Sequence, residues 1–142
     1  MITDRIDPPE LFGIPSLANV TIATGTRIVH ISGQTGVDKD GKVAGSTHLD
    51  QCRQALRNLR IALEAGGATL ADVAKIMIYM VDYDEKALEA LTTAAIEEYG
   101  ADFPITASTL VGVRELPVPG MKVEIEAVAV VPDRFRQAHS GL

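Results

Sequence analysis

The chain has 142 residues, 46% of them apolar and 23% charged, which suits one domain with a proper aliphatic core. A net charge of -6 excludes the broad basic footprint of a nucleic-acid binder, and aromatics at 4% with no Trp leave few platforms for stacking bases. A single cysteine, Cys52, rules out an internal disulfide, and neither a membrane-length apolar run nor a signal-peptide core is present; a soluble, cytoplasmic protein without membrane contact is expected.

The first sixteen residues, with Pro8, Pro9 and Pro15, predict an irregular arm. Val20–Thr24 and Ile28–Ser32 read as short strands joined into a hairpin by Gly25 and Thr26. Gly33 and Gln34 end the second strand, and Asp38-Lys39-Asp40-Gly41 forms a tight turn. Its aspartates echo a calcium loop, but the other ligands and the distal Glu are missing. A helix starts near Ser46–Thr47, where a hydroxyl can cap it and Asp50 lies close to its positive end. Leu49, Cys52, Leu56, Leu59 and Leu63 recur at spacings of three and four, drawing one apolar stripe that Gly66-Gly67 stops. Cys52 on that stripe reads as packing rather than as a nucleophile.

Val73–Val81 is a strand with apolar residues on both faces: Val73, Met77, Tyr79 and Val81 against Ala74, Ile76, Ile78 and Met80. Both faces therefore need cover. Asp84 caps a second helix whose Leu88, Leu91, Ala95 and Tyr99 point inward until Gly100 ends it. Thr109–Val113 and the last strand complete the sheet. The order predicts an α+β sandwich with both helices on one face, and the apolar residues left on the other face predict a closed homo-oligomer. A polar, frayed tail follows Pro132.

The last strand carries the most information. Side chains alternate along a strand, so Met121, Val123, Ile125, Ala127 and Ala129 make one apolar face while Lys122, Glu124 and Glu126 share the other with Val128 and Val130. A carboxylate at such a boundary is a candidate ligand anchor or acid/base; the alternative is a solvated face on which Lys122 pairs with Glu124. His30, His48 and His139 are scattered, no cluster has metal-ligand spacing, and His30 inside a strand reads as structural. The remaining polar groups are Ser32, Gly33 and Gln34, the hydroxyls of Thr106, Ser108 and Thr109, and Glu124.

The order of these motifs resembles the RidA family of reactive-intermediate deaminases. The residues that carry the likeness are Ile31-Ser32-Gly33-Gln34, Ala65-Gly66-Gly67 with Leu70 to Lys75 after it, Phe103-Pro104, Leu110 to Val113 with Leu116-Pro117, and Val123 to Ala127. Together they span roughly residues 20–131 of a single domain, 1–142. The resemblance implies a chorismate-mutase-like fold and a homotrimer whose sheets line a central barrel, with ligand clefts between subunits. Active members hydrolyse small imines and enamines such as 2-aminoacrylate without metal or cofactor. In them an arginine after the Phe-Pro step clamps the substrate carboxylate, a glutamate matching Glu124 orients or activates water, and backbone beside the Ser-Gly-Gln corner completes the pocket.

The arginine's place falls here on Ser108, or on Ala107 if the alignment slips, and residues 103–109 hold no basic side chain. Replacing a bidentate charge-assisted contact by a hydroxyl forfeits about 1.5–3 kcal/mol of carboxylate recognition. The expected ligand is therefore neutral or cationic, held by Thr106, Ser108 and Glu124, and the expected reaction is a pathway-specific hydrolysis rather than general 2-aminoacrylate deamination. A non-catalytic small-molecule binder on the same trimer is the alternative. RNA cleavage, sometimes attached to the family, fits the acidic balance least.

Overall fold

The computed structural model describes residues 1–133; the tail expected after Pro132 lies, from residue 134 on, outside them. In chain order the elements are β1 (Ile2–Ile6), β2 (Val20–Ala23), β3 (Arg27–Thr35), α1 (His48–Ala65), β4 (Val73–Val81), α2 (Glu85–Tyr99), β5 (Ala107–Val113) and β6 (Val123–Val131), with single 3-10 turns at Leu70–Asp72 and Gly100–Asp102. A four-stranded mixed sheet runs β3-β6-β4-β5, and β1-β2 form a separate antiparallel pair. Within the larger sheet β6 is antiparallel to both β3 and β4, whereas β4 and β5 are parallel. Helix α2 makes the crossover between them.

The α+β class with two helices and a mixed sheet is as the sequence predicts. Thr47 caps α1 by accepting from the Asp50 N–H, and Asp84 caps α2 by accepting from the Ala87 N–H. The α1 stripe is buried at Cys52, Leu56, Leu59 and Leu63. It meets Val123, Ile125, Ala127, Ala129 and Val131, the apolar face read from alternation on β6. Arg53 and Arg57 of α1 pair with Glu97 and Glu98 of α2, and the buried Tyr99 hydroxyl donates to the Leu56 carbonyl.

Four local expectations are corrected. The N-terminal arm is not irregular throughout: Ile2–Ile6 is a strand paired with β2, where backbone pairing along the β2 edge, rather than any apolar alternation, makes the strand. Consequently β2 and β3 form no hairpin. At Gly25 the chain leaves one sheet for the other, and a Cβ there would lie 2.5 Å from the Val131 carbonyl oxygen, so only glycine fits. Val73 is buried in the core, not on the Met77 face, because the register shifts between Val73 and Lys75. Leu88 is 42% exposed, while Ala87 and Ala94 turn inward instead.

Candidate functional site on the open sheet face

The helices cover one face of the sheet. The other carries Ile28, His30 and Ser32 of β3, Lys122 to Val130 alternately on β6, Lys75, Met77, Tyr79 and Val81 of β4, and Ala107, Thr109, Val111 and Val113 of β5, as the registers place them. Strand β3 does not end at Gly33. It continues to Thr35 through a bulge between Ile31 and Gln34, which gives β3 one extra residue opposite β6.

At the bulge Glu124 lies directly over Gly33. A Cβ on residue 33 would fall 1.9 Å from Glu124 Oε1, so the absence of a side chain is what lets the carboxylate sit there. The Glu124 side chain makes no hydrogen bond or ion pair among the described residues. Lys122 pairs instead with Asp82, at 3.6 Å. Glu126, by contrast, is engaged: it accepts a hydrogen bond from the Tyr79 phenol. That bond, with desolvation and the charges of Glu126 and Glu124 adding to it, raises the phenol's pKa above its ordinary value.

The other predicted site residues divide. Ser32 and Thr109 share the open face with Glu124, and Thr109 accepts from Lys75 Nζ at 3.0 Å. Gln34 pairs with Ile125 in the core-facing row and folds back to donate to the Ser32 carbonyl at 2.9 Å, fixing the corner. Thr106 is fully buried against the Thr21 hydroxyl, 3.3 Å away, and its carbonyl accepts from the Ala18 N–H. Ser108 pairs with Ile76, on the helix side of β5, and donates to the Thr106 carbonyl. Within one chain, then, Thr106 and Ser108 do not share a face with Glu124, whereas Ala107 does.

Arginines are redistributed. Arg27 donates to the Gly66 carbonyl and ties β3 to the end of α1, while Arg114 lies beyond β5. The arginine that reaches the segment after Phe103-Pro104 is Arg5, whose Nε donates to the Ile105 carbonyl. Arg5, Arg60, Thr69, Phe103 and Pro104 line a cavity of about 550 Å³. Arg5 lies in a stretch that Pro8 and Pro9 mark as an arm, and no apolar alternation flags Ile2–Ile6 as a strand. The sequence reading also passed over Lys75, Tyr79 and Glu126, whose register with β6 is a tertiary fact.

Comparison with known proteins agrees with this architecture. The family model described as endoribonuclease L-PSP matches residues 17–131. The 2-iminobutanoate/2-iminopropanoate deaminase of Salmonella typhimurium is 38% identical over 105 residues, covering 72% of this chain and 79% of that protein. Its namesake from Dermatophagoides farinae is 32% identical over 104 residues, covering 72% and 77%. The crystal structure of YyfB, a Rid-family protein of unknown function from Yersinia pestis, superposes with a TM-score of 0.79 at 28% identity, covering 90% of this chain and 98% of that one. The chain belongs to this family, the RidA group whose relatives include imine deaminases. Among the described residues no helix is long and apolar enough to cross a membrane.

Proposed function

We propose that this protein hydrolyses a small imine, enamine or related C–N compound, with Glu124 as the group that activates water. The observation that carries the reading is the contrast between two neighbouring carboxylates: Glu126 is engaged by Tyr79, and Glu124 is held against Gly33 with no partner of its own among the described residues. In the reaction Glu124 takes a proton from water as the oxygen attacks the C=N carbon, then returns it to nitrogen. The carbinolamine so formed passes its hydroxyl proton through Glu124 to the nitrogen as the C–N bond breaks, leaving a carbonyl compound and ammonia or an amine. The chain's own groups supply this proton relay.

The same reading includes assembly. Ile28, 64% exposed, lies opposite Val130 and near Val128, and Val111, 37% exposed, stands on the edge strand at the level of Glu124; three copies closing on a central barrel would cover these apolar residues of the open face. The ligand clefts then lie between subunits, with Ser32, Gly33, Gln34 and Thr109 as their lining. Thr106 and Ser108 set the conformation in which β5 begins. With no arginine at Ser108, the preferred substrate lacks a carboxylate next to the reacting carbon and serves one pathway.

A second reading rests on Arg5. Its guanidinium sits beside Ile105, at the far end of the sheet register from Glu124 of the same chain, so in this reading it holds a carboxylate over the Glu124 of a neighbouring copy, and ordinary 2-imino acids are then substrates. The test compares ammonia release from freshly generated 2-aminoacrylate with benzaldehyde release from N-benzylidenemethylamine, in wild type, Glu124→Gln and Arg5→Met. Turnover of the carboxylate-free imine alone, lost in Glu124→Gln, is the expected result. Turnover of 2-aminoacrylate that disappears in Arg5→Met establishes the second reading. No turnover of either compound above background overturns both and leaves a binding trimer.

A further inference from the structure

Next to the Gly33 bulge, the middle of the open face holds a concavity of about 470 Å³ lined by His30, Ser32, Lys75, Met77 and Glu126, with Glu124 outside the lining. Lys75 and Glu126 are opposite charges on one concavity, yet they do not form an ion pair. Each is restrained by a neutral partner: Lys75 donates to the Thr109 hydroxyl, and Glu126 accepts from the Tyr79 phenol. Lys75 keeps further N–H donors and Glu126 a further oxygen. The His30 ring and the Ser32 hydroxyl make no hydrogen bond among the described residues. Charges in this arrangement keep the spot hydrated even when copies of the chain cover the apolar residues around it.

Two fixed, separated, opposite charges above an apolar floor of Met77 and Val128 are complementary to a small molecule that carries both signs close together. We propose that this concavity is a second small-molecule site, taking a small α-amino acid whose carboxylate meets Lys75, Ser32 and His30 and whose ammonium meets Glu126. Because Tyr79 and Thr109 hold the two charges before any ligand arrives, little ordering is needed on binding. The site does not use Glu124, although it borders the hydrolytic cleft and shares Ser32 and Thr109 with it.

The test is calorimetric titration of the full chain with L-alanine, with propionate and ethylamine as single-charge controls. Tyrosine emission is a parallel signal, since there are three tyrosines and no Trp. L-alanine should bind saturably, one per chain, and each control at least about tenfold more weakly. Lys75→Met and Glu126→Gln should each weaken L-alanine about tenfold or more, while Lys75→Arg, which keeps the charge and guards against misfolding in the other variants, stays within a few-fold. Tyr79→Phe should remove the emission change, and Glu124→Gln should leave binding intact. Absence of saturable L-alanine binding overturns the proposal, as does propionate binding as tightly as L-alanine. Binding lost in Glu124→Gln but kept in Lys75→Met also overturns it and moves the ligand to the hydrolytic site. Failure of imine turnover leaves these outcomes unaffected.

Discussion

On the helix side of the sheet, Val123, Ile125, Ala127, Ala129 and Val131 are sealed under α1. The large polar group beside them, Gln51, is fully buried with its bonds made inside the chain: it donates to the Gly45 and Gly120 carbonyls and accepts from the Lys122 N–H. On the opposite side, the alternate residues of the same strand are half-buried, and Glu124 has no protein partner among the described residues. Gly33 in β3 and Gly36 just beyond it repeat the contrast. Gly36 is pressed by Gln51 and Gly33 by Glu124, each too closely for a Cβ, but the first contact closes a structural clamp and the second holds a carboxylate on the open face. One face is finished by its own chain. The other stays open within the described chain.

The largest stability loss should follow from breaking the finished face. Gln51→Leu leaves two carbonyls and one N–H without partners, at about 1–3 kcal/mol for each group that water cannot reach. Urea unfolding should show a loss of about 2–4 kcal/mol, and an unchanged midpoint would mean that the clamp is ornamental. On the open face Glu124→Gln should behave in the opposite way, with unfolding free energy within about 0.5 kcal/mol of wild type and imine turnover down about a hundredfold or more. Val128→Asp should keep the far-UV circular dichroism of the fold while weakening self-association about a hundredfold, read by size exclusion with light scattering, because it places an unpaired charge in the proposed contact.

A smaller effect on the finished face is pH-dependent. Burial pushes the Cys52 thiol up to about 12 from an ordinary 9.0. The folded state therefore keeps a proton that the unfolded chain releases. Cys52's contribution to stability is constant below about pH 9 and falls between about pH 9 and 12, at up to about 1.4 kcal/mol per pH unit. Cys52→Ala should flatten that part of the curve. Tyr99, also raised by burial, adds its own loss above about pH 10. Smallest of all, Tyr99→Phe removes the bond to the Leu56 carbonyl and should lower stability by about 1 kcal/mol at neutral pH.

Periodicity made the finished face legible. The α1 stripe, both helix caps and the buried side of β6 follow from the 3.6 and 2.0 repeats, because burial there is continuous along each element. Reading failed where the partner of a segment decides its place. Ile2–Ile6 becomes a strand because β2 lies beside it, Val73 changes face because of a single register shift, and Leu88 yields the inward side of α2 to alanines. The same rule governs the site. Glu124 stood out from strand alternation alone, but its perch on Gly33, the Tyr79 hold on Glu126 and the approach of Arg5 to Ile105 each join residues at least 40 positions apart. No local pattern encodes such distances.

The edge position of β5 has a consequence for handling this protein. Beyond Ala107, which Ala18 meets, Ser108–Val113 has no strand on its outer side among the described residues. The segment contains no charge and no proline. Such an edge is a ready template for another strand, and the net charge of -6 acts too diffusely to shield it. On the proposed assembly, a freshly synthesised chain is in a race between orderly closure with its copies and indiscriminate edge-to-edge stacking. Charge placed at Thr109 or Val111 would slow the stacking at the risk of slowing the closure with it.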